Sequence, residues 1–145
     1  MVRGRTAAQL VALYIGLWWT SNGIAVAITG DTNFATGHVH GNTDLLGLNI
    51  AVNGWHGLFH LLTGLVGIAV FTRPRAARTY LFAVAGLYLV VGVWGIAGGN
   101  ALWVMSVDTP GSIVHSVEGL IALTAALLSP RTADLARPGD APARA

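Results

Sequence analysis

Four apolar stretches, each about as long as the ~20 residues a helix needs to cross a bilayer, dominate this 145-residue chain. They run from Thr6 to Ile28, Leu48 to Phe71, Thr79 to Gly98 and Gly111 to Leu128. Between them lie a polar Gly/Asn/Asp-rich connection, a short basic one reading TRPRAAR, and a nearly neutral one reading GNALWVMSVDTP. Pro74 and Pro130 fall just beyond the second and fourth stretches, where a helix is expected to stop. Pro110 stands where the fourth helix is expected to begin. With 54% hydrophobic and only 10% charged residues, the chain has too little polar surface for a water-soluble globule. The expected fold is therefore an all-α, four-helix transmembrane bundle over residues 1–129. The Ala/Pro/Arg-rich segment 130–145 has no apolar period and is expected to be a disordered tail.

The charges orient this bundle. Arg3 and Arg5 precede the first span, Arg73, Arg75 and Arg78 separate the second from the third, and Arg131, Arg137 and Arg144 follow the fourth. All of them fall on one side, so the positive-inside rule puts both termini in the cytoplasm and the His38 and Asp108 loops outside. The absence of Lys and the excess of Ala and Gly fit a GC-rich bacterial genome, hence a multi-pass protein of the bacterial cytoplasmic (inner) membrane. Arg3 and Arg5, the run Leu10 to Trp19 and the small residues Ala25 and Ala27 imitate a cleavable secretory signal. The run is long for a signal, so the first span is expected to be retained. The expected partner is the lipid bilayer, with a membrane-protein partner or a second copy as the protein contact. Arginines clustered beside apolar runs exclude nucleic acid. Zero cysteine excludes disulfides and thiolate sites.

Polar residues inside a span have to be hidden from lipid, so they carry the functional information. At about 100° per residue, Asn49, Asn53, His56, His60 and Thr63 fall on one face of a helical second span. Span four adds His115, with Glu118 one helical step away. His60 and Glu118 both lie 13 residues before an arginine marker, Arg73 and Arg131, while His56 and His115 lie 17 and 16 before the same markers. The four side chains are thus expected at matching depth. Three imidazoles and a carboxylate form a ligand set for a divalent transition metal, His56, His60, His115 and Glu118. Two facing histidines, His60 and His115, are also the axial ligands a haem would need. The same groups serve equally as interhelical hydrogen-bond glue in an accessory or oligomeric module, or as a proton or small-solute path through Glu118. The outer pair His38 and His40 lacks further ligands. Walker, nucleophile-elbow and glycosidase patterns are absent, so no enzymatic activity is expected. Trp18, Trp19, Trp55, Trp94 and Trp103 are candidate interfacial anchors, Trp18 and Trp55 lying deep enough to pack between helices instead.

His60 to Leu65 reads HLLTGL and His115 to Leu120 reads HSVEGL, so spans two and four share an H-x-x-x-G-L pattern that duplication of a two-helix hairpin would produce. From about Thr6 to Leu128 the chain resembles a family of small actinobacterial four-helix membrane proteins classed as a domain of unknown function. The resemblance rests on topology, on His60 to Gly64 and on His115 to Gly119. It implies His60 and His115 as the matched positions, carries over neither His56 nor Glu118, and assigns no activity.

Overall fold

In the computed structural model, which describes residues 4–29, 34, 42–45 and 48–130, four helices form the bundle. They are α1 (Ala7–Thr29), α2 (Gly54–Val70), α3 (Pro74–Ile96) and α4 (Thr109–Leu128). Two short antiparallel strand pairs precede α2 and α4: β1 (Asn42–Leu45) with β2 (Leu48–Ala51), and β3 (Ala101–Leu102) with β4 (Met105–Ser106). Helices α1, α3 and α4 are long and apolar enough to cross a membrane. Helix α2 has 17 residues; at 1.5 Å per residue it reaches only about 25 Å, short of the ~30 Å hydrocarbon core.

The difference from the expected second span has a physical cause. The apolar run from Leu48 is compatible with strand or helix over so few residues, and it pairs with β1, so that Asn49 stands opposite Asp44. Asn49 is exposed on β2 and is no part of an intramembrane stripe. Asn53 is buried but extended (φ −139°, ψ 177°), acting as the N-cap of α2 rather than as a helical residue. Its side chain accepts from the His56 N–H at 3.0 Å and donates to the Val104 carbonyl at 2.7 Å. Asp108 repeats this at α4 (φ −139°, ψ 172°), accepting from Gly111 N–H at one oxygen and from Ala51 N–H at the other, each 2.8 Å. Truncating Asn53 to alanine removes a cap and takes the side-chain partner from the buried His56 N–H and the part-buried Val104 carbonyl. It is expected to cost about 2–4 kcal/mol, measurable by chemical denaturation in detergent.

The third helix starts earlier than Thr79 because Pro74, read as a stop for the preceding span, occupies the first turn of α3, where its fixed φ suits a helix start. Arg75 and Arg78 therefore ride on α3 rather than in a loop. Arg78 Nε donates to the Ala126 carbonyl at 2.9 Å, Gln9 Nε2 to the Thr72 carbonyl at 3.1 Å, and the Ala8 N–H to Ser129 Oγ at 2.7 Å. These bonds gather the start of α1, the end of α2, the start of α3 and the end of α4 at one end of the bundle. The strand pairs close the other.

Helix α1 packs along α2 and α3 along α4, giving two antiparallel pairs. Ala8, Ala12, Ile15 and Trp19 form the buried stripe of α1, and Ala77, Leu81, Val84 and Tyr88 that of α3, each at helical spacing. Helix α2 contributes glycines. A Cβ at Gly64 would lie 2.5 Å from Thr20 N, and one at Gly23 2.7 Å from the Gly57 carbonyl, so α1 and α2 touch backbone to backbone. Outward-facing Leu10, Leu17, Val90, Val93, Leu120 and Leu127 are exposed, a surface that lipid covers.

The halves repeat one design. Each has a helix, a strand pair, an extended N-cap, and then a histidine seven residues and a glycine eleven residues after the cap: Asn53, His60, Gly64 and Asp108, His115, Gly119. At the position of Thr63 in the first half, the second carries Glu118. His38, His40, Arg3 and the segment 131–145 lie outside the described residues.

Candidate metal centre

Helical spacing puts His56 and His60 one turn apart on α2, and His115 reaches them at their level from α4, which packs against α3 and α1. His56 Nε2 lies 3.1 Å from His60 Nε2 and 3.4 Å from His115 Nε2. One ligand atom from each of the three histidines falls within 4.8 Å of the other two, and His56 and His115 are buried while His60 is partly so. His56, His60 and His115 therefore converge from two helices whose sequence positions are far apart.

The outward nitrogens are held. His56 Nδ1 is 2.9 Å from the Ser106 carbonyl oxygen, which only accepts, so Nδ1 carries the proton and Nε2 is left to face the cluster. His115 Nδ1 is 3.0 Å from Glu118 Oε2, and its Nε2 likewise points inward. A histidine whose far nitrogen donates to a carbonyl or carboxylate is fixed in ring orientation, and its near nitrogen becomes more basic. Ser106 comes from β4, two residues before the N-cap Asp108 of α4, so the strand pair orients His56 from outside the bundle.

Glu118, expected beside the imidazoles as a ligand, stands behind His115 instead. Its other oxygen, Oε1, accepts from Trp18 Nε1 at 2.9 Å and Trp19 Nε1 at 3.3 Å. Both oxygens thus accept N–H groups, the bonding suited to a carboxylate, and these bonds tie α1 to α4. Trp19, counted among the possible interfacial anchors, is fully buried; its indole stacks on the Tyr88 ring with centroids 4.1 Å apart and planes 7° from parallel. Tyr88 in turn meets the His115 ring edge-on at 4.6 Å. Trp103, by contrast, is 84% exposed at the β3–β4 turn, as an interfacial residue would be.

Thr63 remains on the helix face of His60, but its hydroxyl donates to the Phe59 carbonyl at 2.7 Å, and its own carbonyl accepts from Tyr80. It contributes no ligand atom to the cluster. Of the expected stripe, His56 and His60 reach the centre, Asn53 positions His56 through its backbone, and Asn49 is elsewhere.

The glycines that follow the two histidines lie at the seams within each helix pair, Gly64 against α1 and Gly119 against Leu89 of α3. The same two His-to-Gly stretches lie inside the region matched by a family model covering residues 9–128. The chain belongs to the family described as Domain of unknown function (DUF4383). No curated protein and no solved structure matches it. The family description assigns no chemistry, so the functional reading rests on the geometry of the site.

Proposed function

We propose that this chain is a multi-pass protein of the bacterial cytoplasmic membrane that holds a divalent transition-metal ion of the zinc class between His56, His60 and His115. The observation that carries this is the spacing of the three imidazole nitrogens. In a tetrahedral site with metal–nitrogen bonds of ~2.0–2.1 Å, neighbouring ligand atoms stand ~3.3–3.4 Å apart. Two of the nitrogen pairs are at 3.1 and 3.4 Å, and all three atoms lie within 4.8 Å. A small inward movement of one side chain completes the set. The held Nδ1 atoms of His56 and His115 support the same reading, as does the lack of any other cation near Glu118: among the described residues its one ion-pair contact is His115. An ion suits the site better than haem, because the voids beside the imidazoles measure about 40 and 10 Å³. A macrocycle would have to force the helices apart.

The bundle end that carries Arg5, Arg73, Arg75 and Arg78 faces the cytoplasm in this reading, by the positive-inside rule. The strand pairs and the metal centre then lie toward the outer half of the membrane, and α2 completes a four-span topology with its preceding strand.

A second reading is favoured by the same distances. The His56 Nε2 lone pair can accept one hydrogen bond from an imidazole N–H, and taken from His115 it fastens α2 to α4 in an accessory or oligomeric module without any ion. Metal analysis of protein purified in mild detergent without chelator separates the two. Stoichiometric metal is expected, lost in a His60→Ala/His115→Ala double variant that keeps its helical circular dichroism. Wild-type protein that is folded, metal-free and unable to take up zinc or cobalt would leave the hydrogen-bonding module.

A further inference from the structure

Resting on that metal reading, we infer that the centre keeps its fourth coordination position open to one small exogenous ligand, a water, a hydroxide or a compact anion, on the side facing α1 and α4. The protein supplies three ligand atoms there, and the nearest carboxylate is already engaged: Glu118 Oε2 faces His115 Nδ1, and Oε1 accepts from Trp18 and Trp19. Among the described residues no further ligand atom joins the three imidazoles, so in this proposal the fourth ligand comes from outside the chain.

Space for it exists on one side. A cavity of about 40 Å³ touches all three histidines and is walled by Trp18, Asn22 and Val114. The void on the opposite side, against Tyr88 and Met105, measures about 10 Å³. A cavity needs ~10–15 Å³ on this measure to hold one water. The first thus accommodates a water or a triatomic anion next to the imidazoles, while the second is at the limit for any occupant. The first cavity also borders a wider space. A larger crevice of about 290 Å³ between α1 and α4 shares Trp18, Val114 and Glu118 with it. In this proposal a ligand enters between these two helices, past the Trp18 indole that Glu118 holds in place.

Three protein ligands with an accessible fourth position distinguish zinc sites that bind and polarise a small molecule from structural sites, which are closed by four protein ligands. The centre would therefore act on its exogenous ligand as a Lewis acid and is not only a staple between helices.

The test uses full-length protein loaded with cobalt(II) in detergent and titrated with azide. Cobalt in a low-coordinate imidazole site gives strong visible bands, and azide binding at the open position is expected to shift them to saturation. Val114→Phe, which fills the cavity without removing a ligand atom, is expected to keep the cobalt bands and weaken azide binding by about tenfold or more. Cobalt bands that azide leaves unchanged in the wild type would overturn the open position while the metal centre stands. Azide binding of undiminished strength in a folded Val114→Phe protein would overturn its assignment to this cavity. Failure of cobalt to bind at all would remove the metal reading itself, and this inference with it.

Discussion

A leucine in place of Gly64 is expected to prevent α1 and α2 from packing, and with them the whole bundle. A Cβ at this position meets Thr20 N at 2.5 Å and the Gly16 carbonyl oxygen at 2.8 Å, both backbone atoms, so no rotamer change relieves the clash. Across the same seam a Cβ at Gly16 would lie 2.8 Å from Ile68 N, leaving the two helices no slack to slide. Overpacking costs about 1–3 kcal/mol where side chains yield. Here the helix axes have to separate, and the expected loss is about 4 kcal/mol or more, enough to remove folded protein. Size-exclusion chromatography of the detergent-extracted protein reads this as aggregation. Gly86→Ala is the matched control, since a Cβ there meets nothing within 4 Å; it is expected to be neutral or to add up to about 1 kcal/mol. A monodisperse Gly64→Leu protein of wild-type stability would contradict the close approach of α1 and α2.

Glu118→Gln is expected to weaken metal binding by about 10–100-fold while leaving the bundle folded. The glutamine is nearly isosteric, and its amide oxygen still accepts from an indole. What disappears is the negative charge that holds the His115 ring through Nδ1 and supports its other nitrogen as a ligand. Competition against a chromogenic chelator measures the change directly. Unchanged affinity would mean that Glu118 serves only to join α1 to α4 through Trp18 and Trp19. In the hydrogen-bonding module the same substitution alters stability by an amount near the ~0.6 kcal/mol average for intramembrane polar contacts, and metal uptake is absent throughout.

The parts of this architecture written in local periodicity were readable from the chain. The apolar lengths of α1, α3 and α4 declare membrane-crossing helices, and the four-residue interval between His56 and His60 puts both on one helix face whatever packs against it. Counting back from Arg73 and Arg131 places His115 at their depth, because helical rise is nearly constant. The strand pairs were not readable in the same way. Leu48 to Val52 is too short and too apolar to separate a buried strand from a helix start, and the backbone pairing of Asn49 with Asp44 decides it. Once β2 is a strand, Asn53 leaves the helical stripe and becomes a cap. The surroundings of the centre depend on contacts between distant residues. Trp18 and Trp19 lie 100 and 99 residues from the carboxylate they hold. The group that orients His56 is the backbone carbonyl of Ser106, which no residue type advertises. The shared cap-to-histidine interval of α2 and α4 was visible only as H-x-x-x-G-L, since the caps themselves emerge with the strands.

The most direct measurement on the centre is X-ray absorption at the zinc edge of the loaded full-length protein. A first shell of nitrogen and oxygen at ~2.0–2.1 Å, with the outer-shell scattering of three imidazoles and one further light atom, is the expected result. A spectrum that needs no imidazole scattering, as for an ion held by water or detergent, would contradict a metal centre at His56, His60 and His115.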